Sequence, residues 1–209
     1  MKRISLRLIH SIIFIVSLSL LGCASAPIKK ANQVEVSPEQ FVTLPQPNQY
    51  GSDISLSQLI SVNWHGGKQQ LPVQLQLTGN KLVLAGFASW GSRILSLDYD
   101  GQTLNTYVMA GLSETLPPPE QVLFNVMITL WPTEAWKASL DSIGWSLQDI
   151  GNQRVLSNDF GKTILIIDYS SIEDKLSGDI ILTSPHLGYV ITIKTFANAQ
   201  SVMTKKKNG

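Results

Sequence analysis

Apolar and polar residues alternate along two separate runs of this chain, and a stretch with a different period divides them. In the first run, from Ser57, Leu59, Val62 and Trp64 belong to a strand closed by His65-Gly66-Gly67. Val73-Gln74-Leu75-Gln76-Leu77-Thr78 alternates cleanly, which puts one face in a core and the other in water. Gly79-Asn80 is a two-residue hairpin signal, because both residue types accept positive φ. Lys81 to Phe87 returns with less polar relief, as a more buried strand would. Arg93 to Tyr99 is another strand, Asp100-Gly101 a tight turn, and Thr103 to Met109 the partner beyond it. Together these segments predict an antiparallel meander.

The middle of the chain has helical spacing. Pro117-Pro118-Pro119 ends the meander. Val122, Leu123, Val126, Met127 and Leu130 then fall three and four apart, one apolar face of a helix with proline in its first turn. Trp131-Pro132 stops it, since a residue before proline avoids helical angles. Thr133 is the expected cap of a second helix, with Glu134 in its first turn and Trp136, Leu140 and Ile143 as its apolar stripe. Gly144 ends that helix. Strands resume at Trp145 to Ile150, Arg154 to Leu156, Lys162 to Tyr169, Asp179 to Leu182 and Tyr189 to Thr195. Strands, a helix pair, then strands again is the order of an α+β fold, with helices against one face of an antiparallel sheet.

The two ends of the chain read differently. Lys2, Arg3 and Arg7 precede an apolar run from Leu8 to Leu21, the layout of a secretory signal. That run is short of the about 20 residues that cross a bilayer. Leu20-Leu21-Gly22-Cys23 resembles the lipobox of bacterial lipoprotein precursors. That resemblance implies lipidation at Cys23, cleavage before it, and acyl chains (palmitate among them) that hold the chain on a membrane. Two or more such chains anchor stably, where one is marginal. An ordinary signal cut at Ala24-Ser25-Ala26, or an uncleaved helical anchor, are the other readings. The position of the sole cysteine favours the lipobox. Residue 24 is Ala and not Asp, which by the sorting rule of such lipoproteins implies the outer membrane, periplasmic face. The expected organisation is a signal over 1–22, a tether over 23–48, one α+β domain over 49–196 and a disordered tail over 197–209. Within the tether, Pro38 to Phe41 is expected to start a short helical turn.

Composition narrows the function. Removing residues 1–22 of 209 leaves 187, enough for one domain with a sizeable core. It also removes Lys2, Arg3 and Arg7 from 16 basic residues, leaving 13 against 15 acidic ones, so no positive field exists for nucleic acid. A lone cysteine forms no disulfide within the chain. Charged residues make up 15% of the chain where about 25% is usual, which suggests extensive strand and an apolar cavity.

No catalytic signature is present. A Ser nucleophile on a strained turn reads G-x-S-x-G, and the chain has none. His65 beside Gly66-Gly67 and His186 beside Pro185 read as loop residues, too scattered for a metal site. Asp100 reads as a hairpin turn residue and Asp98 as a partner for Arg93. Neither catalytic residues, metal ligands nor a cofactor are therefore expected. Trp131, Trp136 and Trp145 surround the helix pair and either line an acyl-binding mouth or pack the helix–sheet seam. Trp90, in its loop, is the most exposed tryptophan expected and a candidate to insert into a membrane or partner.

Gly91-Ser92-Arg93-Ile94-Leu95-Ser96-Leu97-Asp98-Tyr99-Asp100-Gly101, the helix Val122 to Leu130 ending in Trp131-Pro132, Arg154 and Gly188-Tyr189 carry a family resemblance. With the lipobox, they resemble an uncharacterised, domain-of-unknown-function family of bacterial outer-membrane lipoproteins, over roughly residues 40 to 195. Its members are found near aryl-polyene and fatty-acid-type biosynthesis genes. The family is similar to the LolA/LolB lipoprotein carrier class. That likeness implies an incomplete antiparallel β-barrel, a curved sheet whose helix pair from Pro119 to Gly144 lids one face over a hollow for acyl chains. The resulting expectation is a non-enzymatic lipoprotein that binds or positions an acylated molecule, with Trp131, Trp136, Val126 and Leu130 as ligand-binding residues. The alternative is an assembly lipoprotein that docks a periplasmic partner protein.

Overall fold

The computed structural model describes residues 29–198. Cys23, the expected signal segment and residues 199–209 of the expected tail lie outside the described residues. The first alternating run forms β3 (Ile54–Trp64), β4 (Gly67–Thr78), β5 (Lys81–Phe87), β6 (Arg93–Tyr99) and β7 (Leu104–Val108). The helices are α1 (Pro119–Leu130) and α2 (Thr133–Asp141). The second run forms β8 (Ser146–Ile150), β9 (Gln153–Ser157), β10 (Thr163–Tyr169), β11 (Asp179–Ser184) and β12 (Tyr189–Asn198).

All ten of these strands join one sheet in the order β7-β6-β5-β4-β3-β12-β11-β10-β9-β8, with every neighbouring pair antiparallel. Each run is a meander of hairpins, and β3 pairs with β12 to splice them. The outer edges, β7 and β8, are the strands that flank the helix pair in sequence. The helices are thus the covalent bridge between two unpaired edges. Helix α1 packs on β6 and β7, and α2 packs on β8. The result is a curved, incomplete barrel lidded by two helices.

Alternation decides which face is inside. On β4 the buried residues are Leu71, Val73, Leu75 and Leu77, and the intervening Pro72, Gln74 and Gln76 are exposed. Burying one such aliphatic side chain contributes about 1.5–3 kcal/mol. Helix α1 is buried almost all round, because it lies between the sheet and other covering elements. Gly79 and Gly151 take φ of 58° and 59° in their Gly-Asn turns, the conformation a two-residue hairpin needs.

The antiparallel order sorts the connections into two ends. The turns at 65–66, 88–92, 158–162 and 185–188 and the segment 109–118 share one end. The turns at 79–80, 100–103 and 151–152 and the loop 170–178 share the other.

Several expectations need correction. The stretch expected to be a tether carries β1 (Gln33–Ser37) and β2 (Gln40–Thr43), paired in a ribbon, and a short 3₁₀ turn at Pro47–Tyr50. Val34, Val42 and Leu44 hold it in the core. Pro38-Glu39 is a reverse turn and starts no helix, with Glu39 at φ 61° and its N–H donating to the Glu35 carboxylate at 3.1 Å. The first strand of the sheet begins at Ile54, and its inward residues are Ile54, Leu56, Gln58 and Ile60, so Leu59 faces outward. Thr133 does not cap α2: its hydroxyl donates to Asp149 Oδ2 at 2.9 Å. Asp98 meets Lys81 and Asn105, not Arg93, which lies over the Tyr107 ring.

Candidate functional site: an apolar cavity under the helix pair

The concave face of the sheet is not filled by its own side chains. Between it and α1 lies a cavity of about 770 Å³, within the about 300–1,000 Å³ typical of ligand pockets. Ile60, Leu71, Leu165, Ile191 and Ile193 form its sheet wall, and Val122, Phe124 and Val126 its helix wall. Among the described residues its polar lining comes from neutral side chains, including Gln70, Gln121, Asn125 and Ser184. No described charged residue lines it. Gln121 donates to Asn125 Oδ1 at 3.4 Å, one helical turn on, which partly satisfies both amides at the wall.

The cavity reaches the end of the sheet that carries the turns at 65–66, 88–92 and 185–188, since Trp64, Trp90 and Leu187 line it. The opposite end is closed. The segment from Leu44 to Tyr50 crosses it as a plug. Tyr99 O–H donates to the Leu44 carbonyl at 3.1 Å, and Trp131 Nε1–H to the Gln46 carbonyl at 3.2 Å. Tyr50 packs tilted on the Trp131 ring, centroids 5.2 Å apart.

Arg154 fastens this closed end. It is wholly buried, at an inward position of β9. Its Nη1 donates to the carbonyls of Ile128 and Trp131, both at 2.8 Å, and so satisfies the frayed end of α1. Its Nε and Nη2 grip the Asp149 carboxylate at 2.7 and 3.0 Å, a two-pronged geometry that suits the guanidinium fork. Tyr169 O–H donates to the Thr129 carbonyl at 2.7 Å beside it. Burial raises the Tyr169 hydroxyl to about 12, and hydrogen bonds from Arg154 hold the Asp149 carboxyl well below the usual carboxylate range.

The four residues singled out for ligand contact are dispersed by the fold. Val126 lines the cavity. Leu130 is buried at the closed end, where it borders a polar hollow beside Arg154 and Lys175. Trp131 packs on the plug, at the end of α1. Trp136 packs edge-on against Phe124, centroids 5.5 Å apart, on the seam between the helices. Of the helix-pair tryptophans, Trp145 is the one on the cavity wall. Sequence reasoning passed over Gln121 and Asn125, although their spacing of four residues places them on one helix face beside Val122. It used Arg154 only as a family mark, although Arg154-x-Leu156 sits on the buried beat of its strand. Among the described residues no helix is long and apolar enough to cross a membrane, and no three His, Cys, Asp or Glu converge on a metal-sized site.

No curated protein matches the chain. Among solved structures, it is similar to a protein domain from Vibrio parahaemolyticus assigned to outer membrane lipoprotein sorting. The identity is 8% and the TM-score 0.37, over 70% of this chain and 84% of that one. It is also similar to a DUF1329 family protein from Desulfovibrio piger, at 8% identity and a TM-score of 0.30, over 73% of this chain and 88% of that one. A family model described as "Protein of unknown function (DUF3261)" matches residues 55–197, from the first strand of the sheet through its last and across all the cavity-lining residues but Val36, and the chain belongs to that family.

Proposed function

We propose that this chain is a lipid-anchored envelope protein, held at the periplasmic face of the outer membrane through Cys23, that binds or positions an acylated molecule in the cavity. The observation that carries the reading is the cavity itself: about 770 Å³, walled by aliphatic and aromatic side chains, with no charged group among the described residues that line it. An acyl chain gains about 0.8 kcal/mol for each CH₂ it buries, so ten buried methylenes supply about 8 kcal/mol. The neutral amides at the wall suit a carbonyl or hydroxyl near the head of such a chain. The role requires no chemistry, and the reading is therefore non-enzymatic. The alternative, a lipoprotein that only docks a periplasmic protein, expects a filled core, and the hollow weighs against it. Lipidation, and with it the outer-membrane address, rests on the Leu20-Leu21-Gly22-Cys23 motif.

Titration with an environment-sensitive fluorescent fatty acid tests the binding reading. Saturable uptake that an unlabelled acyl chain displaces is the expected result. A chain that takes up no probe, and none after detergent stripping, overturns it.

A further inference from the structure

Four large exposed apolar residues, two of them tryptophans, stand on the hairpin tips at the cavity end of the sheet. Trp64 is 44% exposed at the first tip, Trp90 73% in the 88–92 turn, Phe160 87% in the 158–162 turn and Leu187 68% in the 185–188 turn. Four separate connections, distant in sequence, therefore each present an apolar side chain on the same end. Three of these residues, Trp64, Trp90 and Leu187, also line the cavity, and Phe160 does not. Apolar side chains displayed in such a group mark a contact surface, whereas scattered ones do not.

Charge orients the molecule. The cavity end carries Lys68, Arg93 and Lys162 against Glu114, Asp159 and Glu120 at the start of α1, a near balance, with His65 and His186 among them. Lys162 Nζ lies 3.2 Å from His186 Nδ1, which brings two of the tips together. Counted in the same way, the closed end carries Asp53, Asp100, Glu173 and Asp174 against Lys81 and Lys175. Ile150, Ile172 and Phe196 are also exposed toward that end, but none is a tryptophan, none lines the cavity, and Ile172, 65% exposed, sits directly before Glu173 and Asp174. The molecule thus runs from a near-neutral, aromatic end to an acidic one. Tryptophan rings settle at the level of lipid headgroups, and basic side chains are drawn to anionic lipid while acidic ones are repelled.

We infer that the four hairpin tips bearing Trp64, Trp90, Phe160 and Leu187 form a rim that seats the open end of the cavity on an anionic lipid bilayer. The inference stands on the two ends of the fold and not on what the cavity holds. On a bilayer the rim joins the hydrocarbon to the cavity, so an apolar chain passes between them without crossing water. The acidic closed end, with its plug and the buried Arg154, faces away.

The test reads orientation in the full chain. Phe160→Cys, Leu187→Cys and, as a control of similar exposure at the other end, Ile172→Cys each receive a fluorophore. The parent chain, whose one cysteine is Cys23, supplies the background. The chains are reconstituted on phosphatidylethanolamine–phosphatidylglycerol vesicles containing brominated lipid, which quenches only at the bilayer. Loss of fluorescence at 160 and 187, with none at 172, is the expected result. Equal loss at all three sites, stronger loss at 172, or undiminished emission at 160 and 187 overturns the inference. Fatty-acid uptake by the same labelled chains in solution is measured alongside. Uptake without rim quenching defeats the rim alone, and rim quenching without uptake defeats the cargo reading alone.

Discussion

Arg154 and Asp149 form a two-pronged ion pair at the closed end of the barrel, and the same guanidinium holds the carbonyls of Ile128 and Trp131. One side chain therefore ties the end of α1 to the edge hairpin β8–β9. It does for the lid what backbone pairing does for the rest of the sheet.

Removing this group is costly, because it leaves two buried carbonyls without a donor and takes the fork from Asp149, which keeps Thr133 and Lys175. Arg154→Met is expected to lower stability by about 2 kcal/mol or more, at roughly 1–3 kcal/mol for each buried carbonyl left without a donor. Arg154→Lys is also expected to be markedly destabilising, since a single ammonium cannot replace the fork. Urea unfolding followed by tryptophan fluorescence measures both, and a midpoint unchanged in either variant contradicts the assignment.

The same cluster sets the acid limb of stability. Asp149 is held below the usual carboxylate range chiefly by hydrogen bonds from Arg154, then by the charge of Arg154 and the hydroxyl of Thr133. A depressed folded pKa contributes stability above the unfolded value, about 3.9, that is lost as pH falls further. The free energy of unfolding is expected to decline below about pH 4, and Asp149→Asn to shallow that decline. Parallel pH profiles for the two chains contradict the claim.

Alkaline pH tests Tyr169. Burial raises its hydroxyl to about 12 in the folded chain, against about 10 when unfolded. A raised pKa of this kind supplies stability below the unfolded value that is lost as pH rises through the folded one. Stability is expected to fall between about pH 10 and about pH 12, and Tyr169→Phe to remove part of that fall. Ultraviolet titration at 295 nm, absorbed by tyrosinate, reports the ionisation directly. A Tyr169 that titrates at its ordinary value removes the basis for the prediction.

Val126 tests the cavity wall without touching the closed end. Val126→Phe pushes bulk into the space an acyl chain occupies. Displacing two or three methylenes is expected to weaken fatty-acid affinity by about tenfold or more, at about 0.8 kcal/mol each. Thermal unfolding checks that the variant still folds. Affinity equal to the parent's places the ligand elsewhere.

Cys23→Ser tests the anchor. The substituted chain is expected to lose incorporation of labelled palmitate and to leave the membrane fraction for the soluble periplasm. Membrane retention at low salt with no label incorporated instead assigns attachment to another part of the chain.

How much of this was legible in the residues varies by element. The two meanders were written in plain alternation, and Gly79-Asn80, Asp100-Gly101 and Gly151-Asn152 marked their turns. The β1–β2 ribbon was not legible, because Val34, Val42 and Leu44 stand singly among polar residues and Pro38 breaks the run. Helical spacing gave α1 but not its neighbours. Since α1 is buried nearly all round, the stripe Val122-Asn125-Val126 could not be told from Leu123-Met127-Leu130 until the sheet curved around one of them. Trp131 and Trp136 were attractive for their bulk, yet bulk does not say whether a ring borders a hollow or fills one. A cavity is the space that side chains leave, and no residue pattern writes it. The rim escaped notice for a related reason: Phe160 and Leu187 are isolated apolar residues in polar turns, and only the strand order collects them.

The most direct test of the central claim is native mass spectrometry, with lipid extraction, of the chain purified from its own envelope. A bound species carrying an acyl or polyene chain, lost from Val126→Phe, is the predicted result. A chain that emerges empty from that envelope, and remains empty after incubation with its extracted lipids, contradicts the account.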